Sequence, residues 1–283
     1  MQRIATIGFF DGVHKGHQFL FEHLCALGEE RGLQPLIVTF MNHPRVALQA
    51  DYVPQLLSST EERHILLSRY GEVLMLPFEE VQPLTAAEFM TMLHDQYDVK
   101  TLVMGYDHRF GADRLKHPLD YRRIGEQCGI EVITLGEFID GEWHVSSTEI
   151  RAALENGNIA VANELLGRPY ALQGKVVHGK GLGRQLGFPT ANIESTDPLK
   201  IIPKVGVYVA LVHTPTMDNA PAFVNIDKQG IIEVHIPSFK GDLYGQILKI
   251  RFVRFLREEK QFDSLEELQA QIKADIDSTL RLV

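Results

Sequence analysis

Apolar residues recur along this chain in two distinct textures. From residue 3 to about residue 135, short β-type runs at 3–8, 35–40, 72–76, 100–105 and 130–135 alternate with stretches long enough for helices. That rhythm predicts an α/β unit, a parallel sheet with helices on both faces. Between the first two runs, Leu20, Leu24 and Leu27 fall at helical spacing, in a helix that begins near Gly16 and closes at Gly28 and Gly32. Ser146-Ser147-Thr148-Glu149 supplies capping residues for a helix through Leu154, with Gly157 as its stop. A second short helix through Leu165 and Leu166 reaches Gly167-Arg168-Pro169. After Pro169 the runs at 170–178, 206–213, 222–226, 231–236 and 246–254 are punctuated by Gly and Pro, which predicts a compact antiparallel barrel. Ser264-Leu265-Glu266-Glu267 reads as a capping box opening a last amphipathic helix with Leu265, Leu268, Ile272 and Ile276 on its apolar face. Two domains are expected, residues 1–168 and 169–283.

Charge sharpens that division. Residues 1–168 hold 14 Lys and Arg against 24 Asp and Glu, a net of −10, whereas the remainder holds 14 against 13, a net of +1. The whole chain of 283 residues carries −9, which argues against nucleic acid as a partner but leaves room for a small phosphate ligand held by local groups. No run approaches the ~20 apolar residues of a membrane span, and the first residues do not pattern as a signal peptide. The two cysteines, Cys25 and Cys128, lack metal or CxxC spacing and read as buried thiols of a reducing compartment, so a cytoplasmic location is expected.

Chemistry concentrates first in Gly8-Phe9-Phe10-Asp11-Gly12-Val13-His14-Lys15-Gly16-His17, where the first strand turns into the first helix. Free N–H groups and the positive end of a helix favour an anion there, and glycine lets backbone approach phosphate oxygens. His14 and His17 are three apart and can address one ligand, although an HxxH alone is more often polar surface or a metal pair than a nucleotide site. The ten-residue pattern resembles the HxGH signature of nucleotidyltransferases in the version found in bacterial FAD synthetases. Val145-Ser146-Ser147-Thr148-Glu149-Ile150-Arg151 is similar to that family's ISSTxIR, although alone it is equally a helix cap followed by a solvated Arg. Gly105-Tyr106-Asp107-His108-Arg109-Phe110-Gly111 resembles GxDFRFG with His108 in an aromatic position, and a structural loop explains it nearly as well. Thr39-Phe40-Met41-Asn42-His43-Pro44 resembles TFxxHP, where His43 could equally cap a turn. The resemblance implies ATP phosphates at Gly8, Phe10, Asp11, Gly12, His14, Gly16 and His17. It adds His43, Asp107, Arg109, Ser147 and Thr148 as nucleotide or flavin contacts, and Arg151 beside the histidines to stabilise departing pyrophosphate.

The second concentration runs from Gly174 to Asn192 and includes Gly179, Gly181, Gly183, Arg184 and Pro189-Thr190-Ala191-Asn192. Glycines at such spacings often only make turns, and the sequence is not a Walker A loop. The run through Pro-Thr-Ala-Asn resembles the riboflavin kinase signature, in which Thr190 and Asn192 would hold Mg²⁺ and nucleotide phosphate. Ile232-Glu233-Val234-His235-Ile236 is similar to the strand carrying that family's carboxylate base, which makes Glu233 the candidate. Gly241-Asp242-Leu243-Tyr244-Gly245 and the stretch from Arg257 to Leu265 extend the likeness, with Arg257 as a secondary flavin contact. Family members carry NIGxRPT before the catalytic strand; here Asn225-Ile226-Asp227-Lys228-Gln229-Gly230 runs almost directly into Ile231, without Pro-Thr.

Together the resemblances imply a Rossmann-like nucleotidyltransferase domain followed by a small Greek-key barrel of riboflavin kinase type with a terminal helix. They imply ATP, riboflavin and FMN as substrates, FAD as product and Mg²⁺ as cofactor; oligomeric state is left open. Two other readings stand beside this one, a FAD synthetase whose kinase is impaired by the short segment after Asn225, and a flavin- or nucleotide-binding regulator without turnover.

Overall fold

The computed structural model describes residues 1–49, 51–140, 143–179, 183 and 187–279. The chain divides into two compact units, Met1–Ser147 and Thr148–Val283.

In the first unit, strands β1 (Arg3–Ile7), β2 (Gln34–Phe40), β3 (Glu72–Leu76), β4 (Val99–Met104) and β5 (Glu131–Thr134) form a parallel sheet in the order β3-β2-β1-β4-β5. All five correspond to the predicted runs, because each is an apolar stretch short enough for a buried parallel strand. Alternate residues serve opposite faces. Ala5, Ile7, Leu36, Val38, Leu102 and Met104 pack with Phe89, Met90, Leu93 and Tyr121, which lie on α5 (Ala86–Tyr97) and α6 (Pro118–Cys128). On the other face Ile4, Ile37 and Val103 meet Leu20, Phe21, Leu24 and Leu67 from α1 (Lys15–Arg31) and α3 (Thr60–Leu67). Reciprocal capping boxes begin α3 (Ser59 with Glu62) and α5 (Thr85 with Glu88). Two shorter helices, α2 (Pro44–Leu48) and α4 (Phe78–Val81), follow β2 and β3, and a ribbon of β6 (Ile139–Asp140) and β7 (Trp143–His144) follows β5.

The strand order reverses at β1, whose neighbours are β2 and β4. In open α/β sheets this switch at the carboxyl ends of the strands is where ligands bind. The segments after β1, β2 and β4 carry three of the motifs that the sequence singled out, in residues 8–17, 41–44 and 105–111.

In the second unit, β8 (Ala171–Val177), β9 (Ala191–Ser195), β10 (Gly206–Thr214), β11 (Met217–Ile226), β12 (Ile232–His235) and β13 (Ile247–Arg257) close into a barrel in the order β10-β11-β12-β9-β8-β13. Every pairing in it is antiparallel. Leu172, Val176, Ile193, Tyr208, Val224, Val234, Leu248, Ile250 and Phe252 fill the core. Helices α7 (Ser147–Glu155) and α8 (Ile159–Leu166) precede the barrel, and α9 (Leu265–Thr279) follows it. Asn163 Nδ2 donates to Phe252 O at 2.9 Å, and Lys204 N donates to Leu154 O at 3.0 Å. These bonds tie α7 and α8 to barrel residues, so the compact division falls about twenty residues before the charge-based boundary at 168.

Strand β9 is not among the predicted runs. It has few apolar residues, yet it pairs with both β12 and β8. The short segment after Asn225 forms a closed turn: Asp227 Oδ1 accepts from Gln229 N and Ile231 N, Gly230 N donates to Asp227 O, and Gly230 takes φ +79. The β11–β12 ladder is uninterrupted, with Asn225 opposite Glu233.

Candidate functional site

In the first unit the backbone between β1 and α1 is tightly contorted. Phe10 (φ 56), Gly12 (φ 77) and Val13 (φ 44) all lie in the left-handed region, which is costly for a β-branched residue such as Val13. Surrounding bonds hold it there. Asp11, 4% exposed, accepts from Leu57 N (3.0 Å to Oδ1) and Ser58 N (3.1 Å), while Ser58 Oγ accepts from Gly12 N at 3.0 Å. Gly8 is needed because the Phe10 ring folds back over it; a Cβ there would lie 2.6 Å from Phe10 Cε1. The turn thus reaches His14 with its amides fixed before any ligand arrives.

His14 is the N-cap of α1, its Nδ1 accepting from His17 N at 3.4 Å. The two imidazoles stack with centroids 3.6 Å apart, and Phe10 meets His17 edge-on at 5.2 Å. A Cβ on Gly16 would come within 3.3 Å of the His14 ring and of Val145 O, so the side of the helix start is closely covered. Ser147 Oγ donates to Asp11 O at 3.0 Å, bringing the second motif onto the first. His43 caps α2, accepting from Arg45 N at 3.1 Å, and Phe9 joins it to the loop through an edge contact of 4.7 Å. The structure therefore assembles Gly8, Phe10, Asp11, Gly12, His14, Gly16, His17, His43 and Ser147. It gives Asp11 a bracing task, with its carboxylate on backbone amides.

Asp107 and Arg109 sit on the exposed loop after β4, where Arg109 Nη1 donates to the carbonyls of His108 (2.6 Å) and Tyr106 (3.3 Å). Burial drives the neighbouring His108 imidazole down to about 4, with Asp107 opposing that shift and Arg109 adding to it. Thr148 and Arg151 lie on α7 and belong to the second unit.

In the second unit β9 and β12 place Asn192 directly opposite Glu233. Ile232 and Val234 point into the barrel core, so alternation sets Glu233 and Asn192 together on the other face. Gly179 and Gly183 lie against Asn192 and Thr190. A Cβ on Gly179 would fall 2.0 Å from Asn192 Nδ2, and one on Gly183 would fall 3.0 Å from Thr190 Oγ1. Pro189 O accepts from His235 Nδ1 at 2.9 Å, and Phe188 packs edge-on to the same ring. Gly179, Gly183, Pro189, Thr190, Asn192 and Glu233 thus form one cluster. Gly181 and Arg184 lie outside the described residues. Arg257 is committed elsewhere: Nε and Nη2 donate to Asp275 Oδ2 at 2.9 and 2.8 Å, joining the end of β13 to α9.

No group of three or more His, Cys, Asp or Glu poised to hold a metal occurs among the described residues. The oxygens of Thr190 and Asn192 are hard donors packed against glycine backbone, which suits a cation that draws its remaining ligands from water and phosphate.

Comparison with known proteins matches both units. The family model described as FAD synthetase covers residues 1–149, and that described as riboflavin kinase covers residues 166–283. A bifunctional riboflavin kinase/FMN adenylyltransferase from Escherichia coli (strain K12) is 36% identical over 285 residues, spanning 96% of this chain and 90% of its own. The protein of the same description from Listeria monocytogenes is 32% identical, spanning 99% and 92%. Among solved structures, a macrolide-efflux protein from Streptococcus pneumoniae superposes with a TM-score of 0.90 at 32% identity, over all of this chain and 95% of that one. That name belongs to the other protein; among the described residues here, no helix is long and apolar enough to cross a membrane. With both family models matched in order and relatives aligned over nearly their full length, the chain belongs to the bifunctional riboflavin kinase/FMN adenylyltransferase family.

Proposed function

We propose that this chain phosphorylates riboflavin to FMN with one ATP and adenylylates FMN to FAD with a second. The observation that carries the reading is a glycine-containing turn in each compact unit set beside polar side chains: residues 8–17 with His14, His17 and Ser147 in the first, and Gly179 and Gly183 with Thr190, Asn192 and the adjoining Glu233 in the second. Residues 1–168 are assigned the adenylyl transfer and residues 169–283 the kinase reaction.

In the kinase reaction the ribityl 5′-hydroxyl attacks the γ-phosphorus of ATP, Glu233 takes the hydroxyl proton, and ADP leaves. Support comes from the register that sets Glu233 against Asn192, whose side chain lies against Gly179. Thr190 and Asn192 would hold Mg²⁺, whose chemistry is to offset phosphate charge. The intact β11–β12 turn keeps this register, so the shortened segment gives no ground for an impaired kinase.

In the transfer reaction a phosphate oxygen of FMN attacks the α-phosphorus of ATP and pyrophosphate departs. No covalent intermediate with the protein is required; alignment of two anions and stabilisation of the leaving charge carry the rate. His14 and His17 take that second task, with Ser147 as a phosphate donor and His43, Asp107 and Arg109 as further contacts; the roles of Thr148 and Arg151, on α7, rest on the motif resemblance alone. Location in the cytoplasm fits Cys25 and Cys128, both of which are free thiols.

The test is incubation with riboflavin, ATP and Mg²⁺ followed by chromatographic separation of flavins. Both FMN and FAD must appear. FMN alone removes the transferase assignment, and FAD formed only from added FMN removes the kinase.

A further inference from the structure

The brace under the phosphate loop contains an ionisable residue that the motifs do not include. Arg63, on α3, is 0% exposed. Its Nη2 donates to Phe40 O at 2.7 Å and lies 3.4 Å from Met41 O, at the carboxyl end of β2. The guanidinium carbon lies 4.1 Å from the centroid of the Phe9 ring, just past the end of β1, and Phe9 in turn touches His43. Nε and Nη1 find no hydrogen-bond partner among the described residues.

Such a residue is expensive to keep. Arg63 shares the buried stripe of α3 with Leu67, one turn further on, and an apolar side chain there would avoid both the desolvated charge and the idle donors. Burial lowers its pKa to about 10, with the Asp11 carboxylate opposing that shift, so it remains a cation at neutral pH. Its positive charge therefore sits in a medium of low dielectric, close to a loop built to receive an anion, where screening is weak.

We propose that Arg63 is a positioning residue for adenylyl transfer: it clamps the ends of β1 and β2, fixing Phe9 and the turn that carries His43, and its buried charge favours the triphosphate at the adjoining loop. This rests on assigning adenylyl transfer to the first unit. The charge acts through the loop and through Phe9, since a fully buried guanidinium has no surface to offer substrate.

The experiment measures FAD formation from FMN and ATP in the full-length chain, with KM for ATP and kcat determined separately for wild type, Arg63→Met, Arg63→Gln, Arg63→Lys and Leu67→Ala. Riboflavin phosphorylation is measured in the same preparations. Arg63→Met and Arg63→Gln should raise KM for ATP in adenylyl transfer at least tenfold while kinase activity stays within twofold. Arg63→Lys, which restores the charge, should recover most of that loss. Leu67→Ala should lower thermal stability without moving KM. A KM for ATP within twofold of wild type in either uncharged variant overturns the proposal, as does an equal rise in Leu67→Ala, which would make the effect one of packing. Should Arg63→Met not fold, Arg63→Gln decides alone; should both fail, Arg63→Lys decides, and a KM raised as far as tenfold in that folded, charged variant refutes the charge role. Wild-type protein that makes no FAD from FMN overturns the assignment of the unit itself, a result separable from failure of the Arg63 variants.

Discussion

Substituting Gly179 by Ala is the sharpest single perturbation of the proposed kinase site. The added Cβ would stand 2.0 Å from Asn192 Nδ2 and 2.4 Å from its Cγ, whereas ordinary contact begins at 3.4 Å, so amide and loop must separate by about 1.4 Å. Asn192 lies opposite Glu233 in the ladder, and the backbone of β9 is pinned on both sides, so the side chain or the loop has to give way. A displacement of about 1 Å in a positioning group costs on the order of 10²-fold in rate, or about 2.7 kcal/mol of barrier. Phosphorylation of riboflavin, followed by chromatography, should therefore fall about 100-fold in kcat/KM, while FAD formation from supplied FMN is unchanged. A double substitution adds a stricter criterion: if the damage arises from this contact, Gly179→Ala combined with Asn192→Ala should be no slower than Asn192→Ala alone. Full kinase activity in the single variant, or additive losses in the double one, would refute the reasoning.

Glu233→Gln keeps the shape but removes the proton acceptor, and should lower the kinase kcat by about 10²- to 10⁴-fold with KM for ATP little altered; retention of rate would exclude Glu233 as base. His108 is held neutral by burial, its folded pKa of about 4 lying below the ordinary 6.5. Its contribution to stability is whole above pH 6.5 and lost as pH falls toward 4, at most about 3.5 kcal/mol at about 1.4 per unit. His108→Phe should accordingly flatten the decline in melting temperature of the first unit over that window, and an unchanged decline would assign it to other groups. The Arg257–Asp275 pair is largely buried, with side chains 16% and 9% exposed, so Arg257→Met should destabilise the second unit by about 3 kcal/mol. Pairing that change with Asp275→Asn in a double-mutant cycle should recover at least 1 kcal/mol, a coupling that chemical denaturation would resolve.

The parts of this architecture that announce themselves in sequence are those whose signal is local. Five apolar runs predict the five parallel strands, and Gly32 closes α1 in the left-handed conformation that its position foretold. The turn from Gly8 to His17 and the stretch from Pro189 to Asn192 are contiguous, so residue type and spacing reveal them. Contacts made at a distance leave no such trace. Asp11 finds Leu57 and Ser58 some 46 residues away, and nothing in the periodicity of either segment reports it. Strand β9 was hidden because its pattern of Ala, Asn and Glu is poor in β-branched residues, and its register against β12 is set by partners on both sides. Arg63 did offer one clue, an arginine at the position of an apolar stripe, i and i+4 with Leu67.

Closure of the barrel has a consequence for how the molecule is made. Strand β13 is the stave that joins β8 to β10, and of the six barrel strands it is the last to leave the ribosome. Until residue 257 emerges, both neighbours present unsatisfied hydrogen-bonding edges, so the kinase half acquires its cooperative fold late in synthesis, whereas the sheet of the first half needs nothing beyond residue 134 to complete its pairing. Premature termination between those two points should yield a nascent chain that has its transferase sheet but carries a sticky, half-built ring.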